Sequence, residues 1–191
     1  MNIATIRLTL EEYLNRTDDA EKHYELVAGN LSEMPPESPQ NAEIAIHLLL
    51  IFAQFVATPR LLRCKDTEIV VSGSRTTVRL PDLMILTEEL ANILFDSGRS
   101  TIMSDMPPPV LVVEVVSPGK VNRDRDYRYK RSEYAARGIA EYWIVDPQIN
   151  KVTVLTLHEG FYEETVFEGE DAIASLVFPQ LQLTANQVFM N

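Results

Sequence analysis

The sequence predicts an α/β domain in which a central mixed β-sheet is flanked by helices and preceded by a short helix and a hairpin. Three observations lead there. From Asn41 to Val56, the apolar residues Ile44, Leu48, Ile51, Phe52 and Phe55 recur at three- and four-residue spacing, the period of a buried amphipathic helix. After Pro59 the texture becomes β-branched in TEIVVSG, TTVRLPDLMIL and PVLVVEVVS, which read as central strands. Finally, a charged helical stretch from Asn122 to Arg137 lies between two apolar strand runs, PVLVVEVVS and IAEYWIVDP, and so forms a strand-to-strand connection.

The other elements follow along the chain. Leu8 to Leu14 is a short helix with Thr9 as its cap and Glu11 and Glu12 in the first turn, where the helix dipole favours anions. HYELVAGNLSEM reads as two strands around Ala28-Gly29-Asn30, and the prolines of the following PPESPQ exclude regular structure there. Turns are expected at Ser72-Gly73-Ser74 and at Pro107-Pro108-Pro109, and Thr87 to Asp105 is a short helix followed by a loop. Gly138 stops the charged helix as a left-handed cap. KVTVLTL and FYEETVF form a hairpin about His158-Glu159-Gly160, with a final short helix within Thr184 to Met190.

Length and composition bound the rest. A chain of 191 residues with 46% apolar residues suits a single domain, 1–191, with one good core. Cys64 is the only cysteine, so no internal disulfide can form, no Cys/His cluster offers a zinc site, and a reducing compartment fits. The N-terminus lacks a signal-peptide core, and the longest apolar run, IHLLLIFAQFVA, is too short and too polar to cross a bilayer. A cytoplasmic protein with no membrane segment is the expectation. The net charge of −11 argues against a protein that coats nucleic acid. The imbalance is uneven, however: Gly119 to Arg137 holds seven basic and three acidic residues, either a patch able to meet a phosphate or a solvated helix face.

Two acids stand where apolar strands normally exclude them. Asp82 follows Pro81 ahead of LMIL, and Glu114 lies inside VLVVEVV. A buried carboxylate without partners loses several kcal/mol of solvation, so each needs a cation. A divalent metal is one remedy, since Mg²⁺ takes oxygen ligands from one or two carboxylates and keeps several waters. A structural salt bridge to an arginine of the following helix is the other.

Beyond these acids, YELVAGNLSEM with its proline loop and long helix, RLPDLMIL, PPPVLVVEVVSP, DRDYRYKRSEYAARGIAEYWIVDP and FPQLQL occur in that order from Leu8 to Phe189. In this the chain resembles the Uma2 family of restriction-type endonucleases, a PD-(D/E)xK nuclease group abundant in cyanobacteria. The resemblance implies a restriction-endonuclease-like core, with two acids and a lysine that cut DNA phosphodiester bonds with Mg²⁺, or Mn²⁺ in its place. Carried over by residue, Asp82 matches the Asp of the PD element and Glu114 the acid of the (D/E)xK element; the metal ligands implied are Asp82, Glu114 and the backbone carbonyl of Val115. The lysine departs from the pattern, because its position holds Val116. Lys130 stands where a lysine supplied by the next helix would be, and Asp126, Lys130 and Tyr134, spaced by four, would share its helix face. The alternative for Lys130 is a solvated surface lysine; as the functional lysine it is expected to accept alanine with fold and metal binding kept, because a helix surface accepts alanine readily.

Glu25 matches a recurrent family acid and could approach the site from the hairpin, or simply partner an arginine. Many relatives carry a histidine where this chain has Asn41. His47 falls in an apolar helix stripe and reads as a core or interface residue, and Tyr142 and Trp143 are expected to pack the sheet against a helix. Two functions stay open. One is a Mg²⁺-dependent endodeoxyribonuclease, acting on DNA as a homodimer when both strands are cut. The other is a nuclease fold that has lost its chemistry and serves as a protein-interaction module, dimerising through Trp143 and the apolar strands; Val116 and the acidic charge favour it.

Overall fold

The computed structural model describes residues 7–16, 22–71 and 76–190. The Ser72-Gly73-Ser74 turn lies outside them. The strands divide between two mixed sheets flanked by helices. The larger has the order β11(Phe161–Glu168), β10(Lys151–His158), β9(Glu141–Asp146), β8(Leu111–Val115), β6(Leu83–Ile85) and β3(Leu62–Arg63). Within it β8 and β9 run parallel, joined by a helical crossover, and the other pairs are antiparallel. The smaller has the order β2(Asn30–Glu33), β1(Tyr24–Val27), β5(Thr77–Arg79), β4(Glu68–Val71) and β7(Thr101–Ile102).

Pro81 explains why TTVRLPDLMIL is not one strand. Proline has no N–H for a ladder, so the run breaks into β5 and β6, which join different sheets and leave Asp82 at the crossing. The PPESPQ loop is shorter than the prolines suggest, because Pro39 sits at the first position of α2(Pro39–Phe52), where its missing N–H costs no helix bond. Ser38 caps that helix by accepting from Asn41 N–H, and α2 ends at Phe52, four residues before the expected Val56. The short helix α1(Leu10–Leu14) carries a reciprocal capping box between Thr9 and Glu12. Thr87 to Asp105 contains α3(Glu88–Ser97), and what reads as a loop after it includes β7, paired parallel to β4.

The crossover begins at Lys120, two residues before the expected Asn122. It consists of α4(Lys120–Asp124), a π-helical turn over Arg125–Lys130, and α5(Arg131–Arg137), stopped by Gly138 at φ 84°. The C-terminal α6(Ala185–Val188) is capped by Thr184. No helix among the described residues is long and apolar enough to cross a membrane.

Strand alternation sorts the core into layers. Leu111, Val113 and Val115 of β8 pack with Ile44, Leu48 and Phe52 of α2 and with Trp143, whose ring meets Phe52 edge-on at 5.5 Å. Val112 and Val116 face the opposite way, toward Tyr134 of α5 and Tyr142, which meet edge-on at 5.0 Å. Each such buried side chain contributes about 1.5–3 kcal/mol. Glu114, two residues from Val112 and Val116, takes their side of the sheet and points beneath the crossover helix. A third cluster, Tyr13, Leu26, Val70 and Val78, ties α1 and the hairpin to the smaller sheet.

Candidate active site

Asp82, just ahead of β6, and Glu114, on the neighbouring β8, reach one cavity. Asp82 Oδ2 accepts the Val115 backbone N–H at 2.6 Å, which locks its carboxylate against β8. Its other oxygen, Oδ1, lies 3.0 Å from Lys65 Nζ. On β8, Glu114 Oε2 is 2.8 Å from Lys130 Nζ, while Oε1 accepts the Tyr134 hydroxyl at 2.6 Å. Asp82, Glu114, Val115 and Lys130 together line a cavity of about 20 Å³, roofed by the Met34–Glu37 loop and bordered by Lys65, Ser117 and Arg125. That space holds about one water or one small ion.

Lys130 is not a surface lysine. It is 1% exposed at the end of the π-helical turn, with Glu114 at 2.8 Å and both Glu25 and Asp126 at 3.5 Å. Asp126, Lys130 and Tyr134 do share a buried face, and Lys130 is where the π turn, a form often found at functional sites, rejoins the α-helix. The premise that Lys130 lies on a helix surface is thus overturned, and alanine here would strand three acids. Val116 is 1% exposed and packs in the core, its N–H donating to Val145 O at 2.8 Å. Residue 116 shares the face of Glu114, and the helix covering that face delivers the lysine that the strand lacks.

The charges strongly perturb one another. Burial would lower Lys130, but Glu114, Glu25 and Asp126 outweigh it and hold the ammonium well above the ordinary lysine range. Burial pushes Glu114 up to about 7, with Asp82, Asp126 and Glu25 adding to the rise and Lys130 opposing it. Burial would raise Glu25 too, yet Lys130 and then Arg79 bring it down to about 2. Arg79, 2% exposed on β5, donates to Glu25 at 2.8 Å and grips Glu133 of α5 through two bonds of 2.7 and 2.8 Å. It thereby fastens the N-terminal hairpin to the crossover helix. Glu25, Asp126 and Tyr134 touch the groups that line the cavity without lining it themselves.

The basic stretch offers little free charge. Lys120 pairs with Asp124, Arg123 with Asp146, Arg125 with Asp126, and Arg131 with Glu164, so much of its charge is balanced within the fold. Asn41 is 2% exposed and donates to Val115 O at 3.3 Å. His47 sits on α2 with Nε2 2.9 Å from Gln187 O, away from the cavity. Trp143 is fully buried and cannot serve as a dimer surface. Sequence reading passed over Arg79, Lys65 and Glu37. Arg79 left a signal, a cation ending a short apolar strand, whereas Lys65 and Glu37 stand in loops whose partners only the fold reveals.

Among the described residues no three or more carboxylate, imidazole or thiol groups gather into a metal cage. Mg²⁺ needs none, since one or two carboxylates with waters and a substrate phosphate complete its shell. The donors here are hard oxygens, two carboxylates and a strand carbonyl, around an ion-sized space, and a side-chain cation, Lys65, already stands at Asp82. These residues fit a small divalent cation.

With this geometry in view, comparison with known proteins is informative. A family model described as "Uma2: Putative restriction endonuclease" matches residues 10–186. A crystal structure from Anabaena variabilis, described as "a putative nuclease belonging to DUF820", superposes with a TM-score of 0.72. It is 17% identical, and the match covers 95% of this chain and 97% of that one, a likeness of fold. A search of curated proteins found no match.

Proposed function

The chain belongs to the Uma2 family, and on that premise we propose that it is a cytoplasmic, Mg²⁺-dependent endodeoxyribonuclease, with Mn²⁺ able to replace Mg²⁺. The observation that carries this reading is the meeting of Asp82, Glu114, Val115 and Lys130 at one ion-sized cavity. Asp82, Glu114 and the Val115 carbonyl would hold the cation. When bound, it supplies Lewis-acid polarisation of a phosphodiester and a more acidic water.

The chain's own groups divide the remaining work. The Val115 N–H and the Tyr134 hydroxyl fix the two carboxylates, so their orientation is set before substrate arrives. Lys130, surrounded by three acids, keeps its proton, which excludes it as a general base in this state. Its role is electrostatic: it orients the attacking water and offsets the charge that grows on the phosphate oxygens. Arg79 and Glu25 hold Lys130 in place from behind.

The test is nicking of supercoiled plasmid with Mg²⁺ or Mn²⁺, with Asp82→Asn as control. Wild-type cleavage that is lost with Asp82→Asn and with chelator supports the reading. No cleavage by the wild type with any divalent ion removes it. A two-fold homodimer is the simplest way to present two sites to a duplex, and light scattering at working concentration checks it. The second reading, an interaction module, draws on the complete internal pairing of the site's charges and on Ile46 and Leu50 of α2, which are 53% and 62% exposed. It takes over if cleavage is absent.

A further inference from the structure

Each oxygen of Asp82 is already engaged. Oδ2 accepts the Val115 N–H, a bond fixed by the strand, so Oδ1 is the oxygen more open to a new ligand, and Oδ1 faces the Lys65 ammonium at 3.0 Å. Lys65 also pairs with Glu37 of the loop that roofs the cavity. Around the cavity three carboxylates, Asp82, Glu114 and Glu37, therefore face three side-chain cations, Lys65, Lys130 and Arg125. Glu25 and Asp126, both 3.5 Å from Lys130, add two acids behind that set, so the conflict is local: an ion on Asp82 Oδ1 would stand directly beside the Lys65 ammonium unless Lys65 withdraws.

The three cations are not equally able to leave. Lys130 is 1% exposed and surrounded by acids, and Arg125, 24% exposed, pairs at 3.0 Å with Asp126, which does not line the cavity and so is not taken by an ion there. Lys65 is 27% exposed on a flexible four-carbon stem, and it also lines a second, wider cleft of about 390 Å³ alongside Tyr24 and Arg99. Lys65 has φ 51°, a left-handed conformation that costs a non-glycine residue about 1–2 kcal/mol and persists only where surrounding contacts hold it.

We propose that Lys65 is a displaceable internal cation that occupies the open oxygen of Asp82 in the metal-free protein and must give way to the divalent ion. It rests on the metal-site reading above. Lys65 thus sets the metal affinity of the site: it keeps Asp82 and Glu37 from repelling one another when the metal is absent, and competes with the metal when it is present.

The experiment is calorimetric titration of the full chain with Mn²⁺, together with thermal melts in chelator and in Mn²⁺. It compares wild type, Lys65→Met, Lys65→Gly, Lys65→Arg, Lys120→Met and Asp82→Asn. Lys65→Gly relieves the left-handed backbone, so a folded variant lacking the ammonium is secured even if Lys65→Met folds poorly. Removing the ammonium is expected to tighten Mn²⁺ binding about tenfold and to enlarge the Mn²⁺-induced rise in Tm. Lys65→Arg, which keeps the charge, is expected to stay near wild type. Lys120→Met makes the same change in net charge on an exposed lysine and is expected to change neither readout. Unchanged or weaker binding in both Lys65→Met and Lys65→Gly, while Asp82→Asn abolishes it, overturns the proposal and leaves the metal site standing. An equal gain from Lys120→Met overturns it too, since net charge would then suffice. If wild type binds no Mn²⁺, this proposal and the metal-site reading fall together.

Discussion

Glu114 and Glu141 stand on adjacent parallel strands, and both are almost wholly buried, yet they are satisfied in opposite ways. Glu141 meets neutral donors: Ser175 Oγ at 2.7 Å, Trp143 Nε1, and the backbone N–H groups of Leu176 and Val177. Those bonds anchor the segment before α6 to β9 and leave no room for a ligand. Glu114 meets one hydroxyl and one ammonium in a crowd of other acids, and it opens on a cavity. Burial of an acid in an apolar strand therefore does not mark a site by itself. What separates the two is the kind of donor: neutral donors close a carboxylate off, whereas Glu114 shares one ammonium with two other acids and opens on a cavity, which leaves it able to take a further cation.

The largest expected effect tests the charged side of this contrast. Lys130→Ala leaves Glu114, Glu25 and Asp126 without their shared cation, which should cost about 3–5 kcal/mol in urea denaturation and reduce cleavage by orders of magnitude. A loss below about 1 kcal/mol would mean that the acids find other partners and that the network is not cooperative.

The pH dependence is next. Glu114 is pushed up to about 7 in the fold, against an ordinary value of 4.5, so the folded protein binds a proton that the unfolded chain releases between those values. The corresponding stability is present below about pH 4.5 and is lost as pH rises through about 7, roughly 3 kcal/mol by linkage. Glu25 behaves oppositely: held down to about 2, it contributes stability above pH 4.5 that disappears as pH falls toward 2. Metal-free denaturation from pH 3 to pH 8 should show both slopes, and Mg²⁺ should raise Tm more at pH 8 than at pH 5 because the cation takes the ionised carboxylate. An equal Mg²⁺ effect at both pH values would remove Glu114 from the ligand set.

A pair of isosteric changes sharpens the comparison further. Glu141→Gln turns an amide NH₂ toward donors and is expected to destabilise by about 1–3 kcal/mol while leaving Mn²⁺ affinity untouched. Glu114→Gln should do the reverse at neutral pH, abolishing Mn²⁺ binding with little loss of stability. Should both behave alike in calorimetry and in melts, the distinction between a closed and an exchangeable carboxylate fails. The smallest effect belongs to the exposed Lys120–Asp124 pair, where Lys120→Met should leave the Tm unchanged.

Much of this molecule was legible as a string of residues because the signals are local. The Thr9 capping box, the apolar stripe of α2, the glycine stop at 138 and the β-branched run of β8 each depend on neighbours within a few positions, and each formed an element of the kind it implies. Asp82 and Glu114 could be singled out because a charge in an apolar strand is conspicuous by itself. The same reasoning passed over Glu141, whose neutral donors come partly from residues more than thirty positions away. It left the setting of Lys130 open, since helix spacing cannot tell a solvated face from one closed off by Glu25 on the hairpin. Sequence alone thus determined most of the longer helices and strands and which two acids stand out, but not the short strands β3 and β7. Tertiary structure decided the division into two sheets at Pro81, the burial of Lys130, the Arg79 clamp and the Lys65–Asp82 pair. The physical reason is range: periodicity and capping act within a turn or a strand, whereas the partner of a charge is whatever group the fold brings within about 3 Å of it.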